Sequence, residues 1–210
     1  MKETGKILGI LKLGIALTLY ATAACVGLAF VYSATEKTIA RRQEADLEAA
    51  LRELFPGGDR FAVMPEPLVS PDPAVSFGDQ YVIYRGGTVI GAAVRASGPS
   101  YGGPITALVG VDAGGLITGV KILEHSDTPG LGANAAAPNY FVDKDAGITF
   151  YGQFMGKSVR DPFEVKNDVA VITAATITSR AVTGMVKASG TAAEAWFAGG
   201  SADTGGGVSP

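Results

Sequence analysis

Gln80-Tyr81-Val82-Ile83-Tyr84-Arg85-Gly86-Gly87-Thr88-Val89-Ile90 decides the fold. Residues 81–84 are all aromatic or β-branched, and so are residues 88–90. Arg85-Gly86-Gly87 between them supplies a tight turn, so the stretch predicts a β-hairpin. Residues 91–96 extend its second strand. Residues 97–104, with three glycines and two prolines, read as a loop. Beyond it, residues 105–112 and 116–123 flank Ala113-Gly114-Gly115, a second hairpin signal. Two hairpins in succession imply an antiparallel sheet with one face packed.

Outward from the sheet the signals turn helical. Residues 33–55 read as a helix with Leu47, Leu51, Leu54 and Phe55 on one side, stopped by Pro56-Gly57-Gly58. The Pro-rich residues 65–73 read as an irregular covering segment. On the other side, Pro129-Gly130-Leu131-Gly132 breaks regular structure. Residues 133–147 suggest a short helix and turn, 148–155 and 158–165 weaker strands, and 169–172 a short apolar run. A last helix is expected from Thr178 or Ser179, with Val182, Val186, Ala193 and Phe197 inward, Met185 and Trp196 beside them, and a break at Gly190. Residues 199–210 read as a flexible tail. The fold class is α+β.

The chain has 210 residues, about one domain. Its 17 basic and 20 acidic side chains give a net charge of -3, which argues against a dedicated nucleic-acid binder. One Cys excludes an intrachain disulfide and a cysteine-only metal cluster, and one His excludes a poly-histidine site. There is no P-loop and no GxGxxG fingerprint. The six phenylalanines at 61, 77, 141, 150, 154 and 163 are not interleaved with basic residues and read as ordinary packing.

Residues 13–35 run for 23 positions without a charge, between Lys12 and Glu36. At ~1.5 Å per residue such a helix exceeds the ~30 Å hydrocarbon core of a bilayer. Ala21-Thr22-Ala23 resembles a signal-peptide cleavage site, and Thr22-Ala23-Ala24-Cys25 a lipoprotein signal. The apolar run continues through Leu28, Phe30, Val31 and Tyr32, which favours an uncleaved anchor with Cys25 as a small apolar residue. Lys2, Lys6 and Lys12 precede the run, while Lys37, Arg41 and Arg42 follow it, so the positive-inside balance is close to a tie. The orientation favoured is N-terminus inside and the large C-terminal part outside.

Two motifs carry chemistry. In Ile172-Thr173-Ala174-Ala175-Thr176-Ile177-Thr178-Ser179, four hydroxyl side chains precede an amphipathic helix. Read plainly this is a helix cap. It also suits a phosphate, because helix-start N–H groups, neutral hydroxyls and small residues let an anion approach the backbone. The second motif is Glu124-His125-Ser126-Asp127-Thr128-Pro129-Gly130-Leu131-Gly132, a rigid turn after a strand. Leu131 is either a hydrophobic plug or a support for a planar ring. His125 and Asp127 lie two residues apart with no nucleophile elbow, which disfavours a hydrolase.

The anchor, the Thr-Pro-Gly-Leu-Gly turn and the Thr-Ala-Ala-Thr-Ile-Thr-Ser segment together resemble the RnfG family, the G subunits of the Rnf ion-translocating electron transport complex. The soluble part is also similar to the C subunit of the sodium-pumping NADH:quinone reductase. The resemblance covers nearly the whole chain. It implies an FMN-binding domain and a covalently held FMN, the phosphate esterified to the last Thr of an Asp-x-x-Ser/Thr-Gly-Ala-Thr motif. That position falls on Thr176, and the first hydroxyl position on Thr173. Ala174 stands where Gly is usual, and Ala170 where the Asp would fall, with Asp168 two residues earlier.

By the same resemblance Thr173, Thr178 and Ser179 hold phosphate oxygens, and Thr128, Leu131 and Gly132 lie near the flavin ring. Lys166 approaches the flavin or its phosphate, and His125 neighbours the site. The implied function is a redox subunit of a ferredoxin:NAD oxidoreductase complex rather than a complete enzyme. It relays electrons through FMN and supports Na⁺ or H⁺ translocation. The implied partners are the other Rnf subunits and a flavin transferase, with no nucleic acid and no direct NAD binding. The implied location is a cytoplasmic or inner membrane, single-pass, with the domain extracytoplasmic. The expected organisation is an N-terminus and anchor at 1–35, a juxtamembrane helix at 36–58, an FMN-binding domain at 59–198 and the tail. The alternative is an anchored sensory or structural domain of the same fold that has lost flavin attachment. A small-substrate membrane flavoenzyme is disfavoured, because no acid/base group marks a substrate pocket.

Overall fold

The structure is a computed structural model and describes residues 2–199. The expected tail lies outside the described residues from Gly200 onward. The chain forms two compact units, Met1–Leu47 and Glu48–Pro210.

Helix α1, Lys2–Leu54, runs without a break through both the apolar stretch and the expected juxtamembrane helix. Residues 36–54 are rich in Ala, Glu, Leu and Arg, all strong helix formers, so nothing ends the helix before Pro56. In the first unit the apolar window of α1 is wholly unburied and long enough to cross a bilayer. Two of its hydroxyls, those of Thr18 and Thr35, are satisfied within the helix, as a lipid environment favours. Thr18 Oγ1 donates to the Gly14 carbonyl at 2.8 Å, and Thr35 Oγ1 to that of Val31 at 2.9 Å. This unit has the length and composition of a single-pass membrane anchor.

The second unit is built on a five-stranded antiparallel meander in the order β1-β2-β3-β4-β5. Its strands are β1 (Arg60–Val63), β2 (Ser76–Arg85), β3 (Thr88–Pro99), β4 (Pro104–Asp112) and β5 (Ile117–Glu124). Both expected hairpins are present, pairing Arg85 with Thr88 and Val111 with Ile117. Strand β3 runs three residues past Ala96, so the glycine-rich loop shrinks to 100–103, closed by Ser100 N–H to the Gly103 carbonyl at 2.8 Å. The irregular segment 65–73 is tied to β2 by Gln80. This buried side chain accepts from Leu68 N–H at 2.7 Å and donates to its carbonyl at 3.0 Å.

One face of the sheet carries helix α2 (Thr176–Ala198). Val182, Met185 and Val186 pack with Val109, Val111 and Ile117, while Trp196 joins Met64, Val82 and Ala92. Phe197 is only half-buried, and Gly190 continues the helix, its open side turned to Val159 and Ile117.

The opposite face is covered as well, contrary to the expectation of one packed face. Leu51, Leu54 and Phe55 are buried at the end of α1. A side chain at Gly91 of β3 or Gly110 of β4 would run into the Phe55 ring, and one at Gly119 into Leu54. Glycines at these points lower the sheet surface by a side chain's thickness and admit the aromatic ring.

The expected strands 148–155 and 158–165 are mostly absent. A two-residue β7 (Ile148–Thr149) pairs with β6 (Phe141–Asp143), and a 3-10 turn follows at Gly152–Phe154. Phe150 and Phe154 are fully buried, edge to face at 5.8 Å. Along an extended strand residues four apart share a face but stand roughly 13 Å apart, so rings this close require the chain to coil between them.

Candidate functional site

Three segments meet at the start of α2: the loop 100–103, the turn 126–132 and the segment 172–178. They line a cleft of about 410 Å³, walled by Tyr101, Asp127, Thr128, Leu131, Gly132 and residues 174–178.

The turn is fixed by its own chemistry. Leu131 N–H donates to the Thr128 carbonyl at 3.1 Å, with Pro129 and Gly130 between and Gly130 at φ 79°. That is a type II turn, in which the third residue needs a positive φ. It leaves Leu131 40% exposed. Gly132 then passes so close to Asp127 and Thr178 that a Cβ there would overlap both side chains.

The helix start is unusual. Ala175 N–H donates to the Ile172 carbonyl at 3.0 Å, closing a turn in which Ala174 has φ 59°. That left-handed conformation costs a non-glycine residue roughly 1 kcal/mol. The N-cap is Ala175, whose side chain offers no acceptor, so no cap bond forms. Ser179 N–H makes the helix's first bond, to the Ala175 carbonyl at 3.0 Å. The amides of Thr176, Ile177 and Thr178 are therefore first-turn donors left without a capping side chain. The helix starts at Thr176, two residues before Thr178, the earlier of the two expected starts.

Asp127 joins the three walls. It is buried, and its Oδ1 accepts Gly102 N–H at 2.7 Å. Its Oδ2 accepts Ser100 Oγ at 2.6 Å and Thr178 Oγ1 at 3.0 Å. Burial opposes the charge of Asp127, but the bonds from Ser100, Gly102 and Thr178, with a small contribution from His125, hold its carboxyl below the usual carboxylate range.

The residues expected from sequence divide accordingly. Thr128, Leu131, Gly132, Thr176 and Thr178 all line the cleft. Thr176 is half-buried there, whereas the Thr178 hydroxyl is buried and committed to Asp127. Ser179 is buried behind the helix start, its Oγ donating to the Ala175 carbonyl at 3.0 Å and accepting Ile172 N–H at 3.0 Å. Thr173 is exposed outside the lining, its N–H donating to Tyr140 Oη at 3.1 Å. Lys166 and His125 are exposed and do not line the cleft. Lys166 has φ 73° in a loop held by Asp168, which accepts Glu164 N–H at 2.6 Å and pairs with Lys157 at 3.2 Å.

Sequence reasoning missed Ser100, Tyr101 and Gly102, and did not foresee Asp127 as the junction. Asp127 alone had a signal, as the only acidic residue between the strand end and the Pro-Gly turn that follows.

These residues fit a flavin mononucleotide. The volume falls in the range of small-molecule sites, roughly 300–1,000 Å³. The cleft is lined by the first turn of α2, whose amides have no capping side chain and could take a phosphate, and exposed Tyr101, Leu131 and Ile177 offer apolar surface to a planar ring. No Lys, Arg or His is among the ten lining residues.

A membrane-anchored FMN-binding domain is the class that fold and cleft define. Residues 100–189 match the FMN-binding domain family, and residues 1–54 match the RnfG N-terminal region. The G subunit of an ion-translocating oxidoreductase complex of Cereibacter sphaeroides is 34% identical over 82% of this chain and 79% of its own. The G subunit of a Na⁺-translocating ferredoxin:NAD⁺ oxidoreductase complex of Acetobacterium woodii is 30% identical over 86% and 89%. That of a proton-translocating ferredoxin:NAD⁺ oxidoreductase complex of Clostridium ljungdahlii is 34% identical over 76% and 78%. The chain belongs to the RnfG family, a family of membrane electron-transport flavoproteins.

Proposed function

We propose that this chain is the electron-carrying RnfG subunit of an Rnf-type ferredoxin:NAD⁺ oxidoreductase complex, holding FMN esterified to Thr176 on the extracytoplasmic side of the membrane. The observation that carries this is the uncapped start of α2 beside the half-buried Thr176 hydroxyl. A helix start ordinarily has a Ser, Thr, Asp or Asn cap, and Ala in that place costs about 1 kcal/mol. A phosphate oxygen accepting the open amides would replace the missing cap.

The charge of the cleft favours an ester. A phosphate monoester carries between one and two negative charges at neutral pH, since its second pKa is about 6. Esterified once more it carries one. With no Lys, Arg or His in its lining and the Asp127 carboxylate among it, the cleft has only amide dipoles and neutral hydroxyls to attract a phosphate, which suits the smaller charge.

Bound FMN supplies reversible electron uptake and release. The chain's own residues bind and orient. Thr176 Oγ1 provides the ester oxygen, the first-turn amides hold the remaining phosphate oxygens, and Leu131 and Gly132 shape the ring end of the cleft. Thr178 acts through Asp127. Thr173, Ser179 and the residues around Ala170 and Asp168 set the loop that a flavin transferase would have to recognise. The other components of the Rnf complex are the partners. The named relatives include both sodium- and proton-coupled complexes, so membership of this family is compatible with either ion.

The test is the mass of the full chain from its native host, with peptide mapping. One FMN on the peptide carrying Thr176, absent in T176A together with electron flux through the complex, is expected. Unmodified Thr176 in assembled complex would establish the alternative, an anchored domain that has lost attachment.

A further inference from the structure

The geometry points to Asp127 as a positioning residue of the flavin site, whose carboxylate clamps the three walls of the cleft and whose negative charge holds down the reduction potential of the FMN bound there. This rests on the attachment at Thr176 proposed above.

Each of the three contacts of Asp127 reaches a different wall or a different part of one. Gly102 N–H and Ser100 Oγ belong to the β3–β4 loop, and Thr178 Oγ1 belongs to the first turn of α2. Asp127 itself precedes the type II turn that presents Leu131. Two near approaches show that the fit is made around this side chain. A Cβ at Gly132 would overlap Asp127 and Thr178, and one at Gly102 would overlap the backbone of Ser126 and Asp127. Removing the carboxylate would disconnect the amides of α2 from the ring-side turn.

The charge has few compensating neighbours. Asp127 forms no ion pair among the described residues, and the cleft it lines contains no cation. Its partners are hydroxyls and one amide, which stabilise the anion without cancelling it. A flavin gains negative charge or a proton on reduction, so a fixed anion in the same low-dielectric cleft opposes electron uptake.

D127N separates charge from clamp. The amide keeps the size of the carboxylate, its oxygen still accepts Gly102 N–H, and its NH₂ donates to hydroxyls that rotate to accept. S100A acts in the opposite sense, because it removes a hydroxyl dipole that offsets the carboxylate. The experiment uses the full chain made together with its flavin transferase, purified in detergent, with intact mass to establish FMN and a spectroelectrochemical titration to read its potential. D127N is expected to retain FMN and to favour the reduced form about tenfold at fixed potential, a rise of about 30 mV for a two-electron couple. S100A is expected to lower the potential.

FMN-loaded D127N within threefold of wild type overturns the inference. If D127N does not fold or load, S100A decides: a potential at or above wild type overturns it. Wild-type chain that carries no FMN overturns the attachment reading and this inference with it. A loaded wild type whose potential neither variant moves overturns this inference alone.

Discussion

Ala174 is the residue at which the backbone makes a demand that the side chain resists. At φ 59° it occupies the third position of the turn that delivers the chain into α2. A left-handed Ala costs roughly 1–2 kcal/mol relative to its relaxed conformations. Glycine removes that cost but gives back about 0.5–1 kcal/mol through the freedom it gains in the unfolded chain. The A174G chain is therefore expected to be more stable by about 0.5–1 kcal/mol, a rise of roughly 1–4 °C in Tm for a chain of this size. Ala174 is exposed at the cleft, so the substitution leaves no cavity to offset the gain. A174V should move the other way, since a β-branched residue tolerates positive φ less well than Ala. Thermal unfolding of the detergent-solubilised full chain, made without FMN so that no ligand contributes, measures both. If A174G is no more stable than wild type and A174V no less, the left-handed turn is not where the segment is held, and the account of the uncapped helix start fails with it.

Replacing Gly91 with Ala should destabilise the domain by about 1–3 kcal/mol through overpacking against Phe55 and the Val111 carbonyl, and pairing it with Phe55→Leu should recover only the part owed to the ring. Urea midpoints of the single and double variants check both. Acid should unfold the domain partly through Asp127 and Asp168, whose carboxyls are both held below their ordinary value of 3.8. For Asp168, burial opposes the charge, while the Glu164 amide, Lys157 and the Phe163 amide overcome it. Depressed carboxyls stabilise the folded chain above their unfolded pKa, and that stabilisation is lost as pH falls through the folded values. Stability should thus drop below about pH 4, and D127N should lose less of it than wild type on acidification. Urea midpoints between about pH 6 and about pH 2.5 read the difference, and equal acid slopes would contradict it.

The parts of this molecule that were legible in its sequence are those where one local rule acts alone. Tyr81 to Ile90 obeys strand and turn chemistry together, and its hairpin is present. The two chemical motifs also stood out, and the fold brings both to one cleft. Illegible features needed a partner distant in sequence. Gly91 and Gly110 weaken a strand when read locally, and the Phe55 ring on the far face, with the Val111 carbonyl and the Thr118 hydroxyl beside it, explains them. Phe150 and Phe154 fit an extended or a coiled segment equally until their rings are required to touch. Ser100 and Gly102 carry no motif, and their place in the site depends on Asp127, some 25 residues away.

Ala175, Ala174 and Asp127 each break a rule that would favour the empty domain. Ala175 is a poor N-cap, Ala174 a poor left-handed residue, and a buried unpaired carboxylate such as Asp127 a poor choice for packing alone. All three lie on one cleft; outside it, Phe163 and Lys166 are also left-handed, and the buried hydroxyls of Thr118 in β5 and Ser189 in α2 have no partner. The three on the cleft surround open amides and a threonine hydroxyl, and together they argue for a site whose local cost is offset when an anion and a ring are in place. Measured unfolding should accordingly show binding of FMN stabilising the 172–178 segment more than the sheet. Amide exchange that slows equally in both on loading would contradict that assignment.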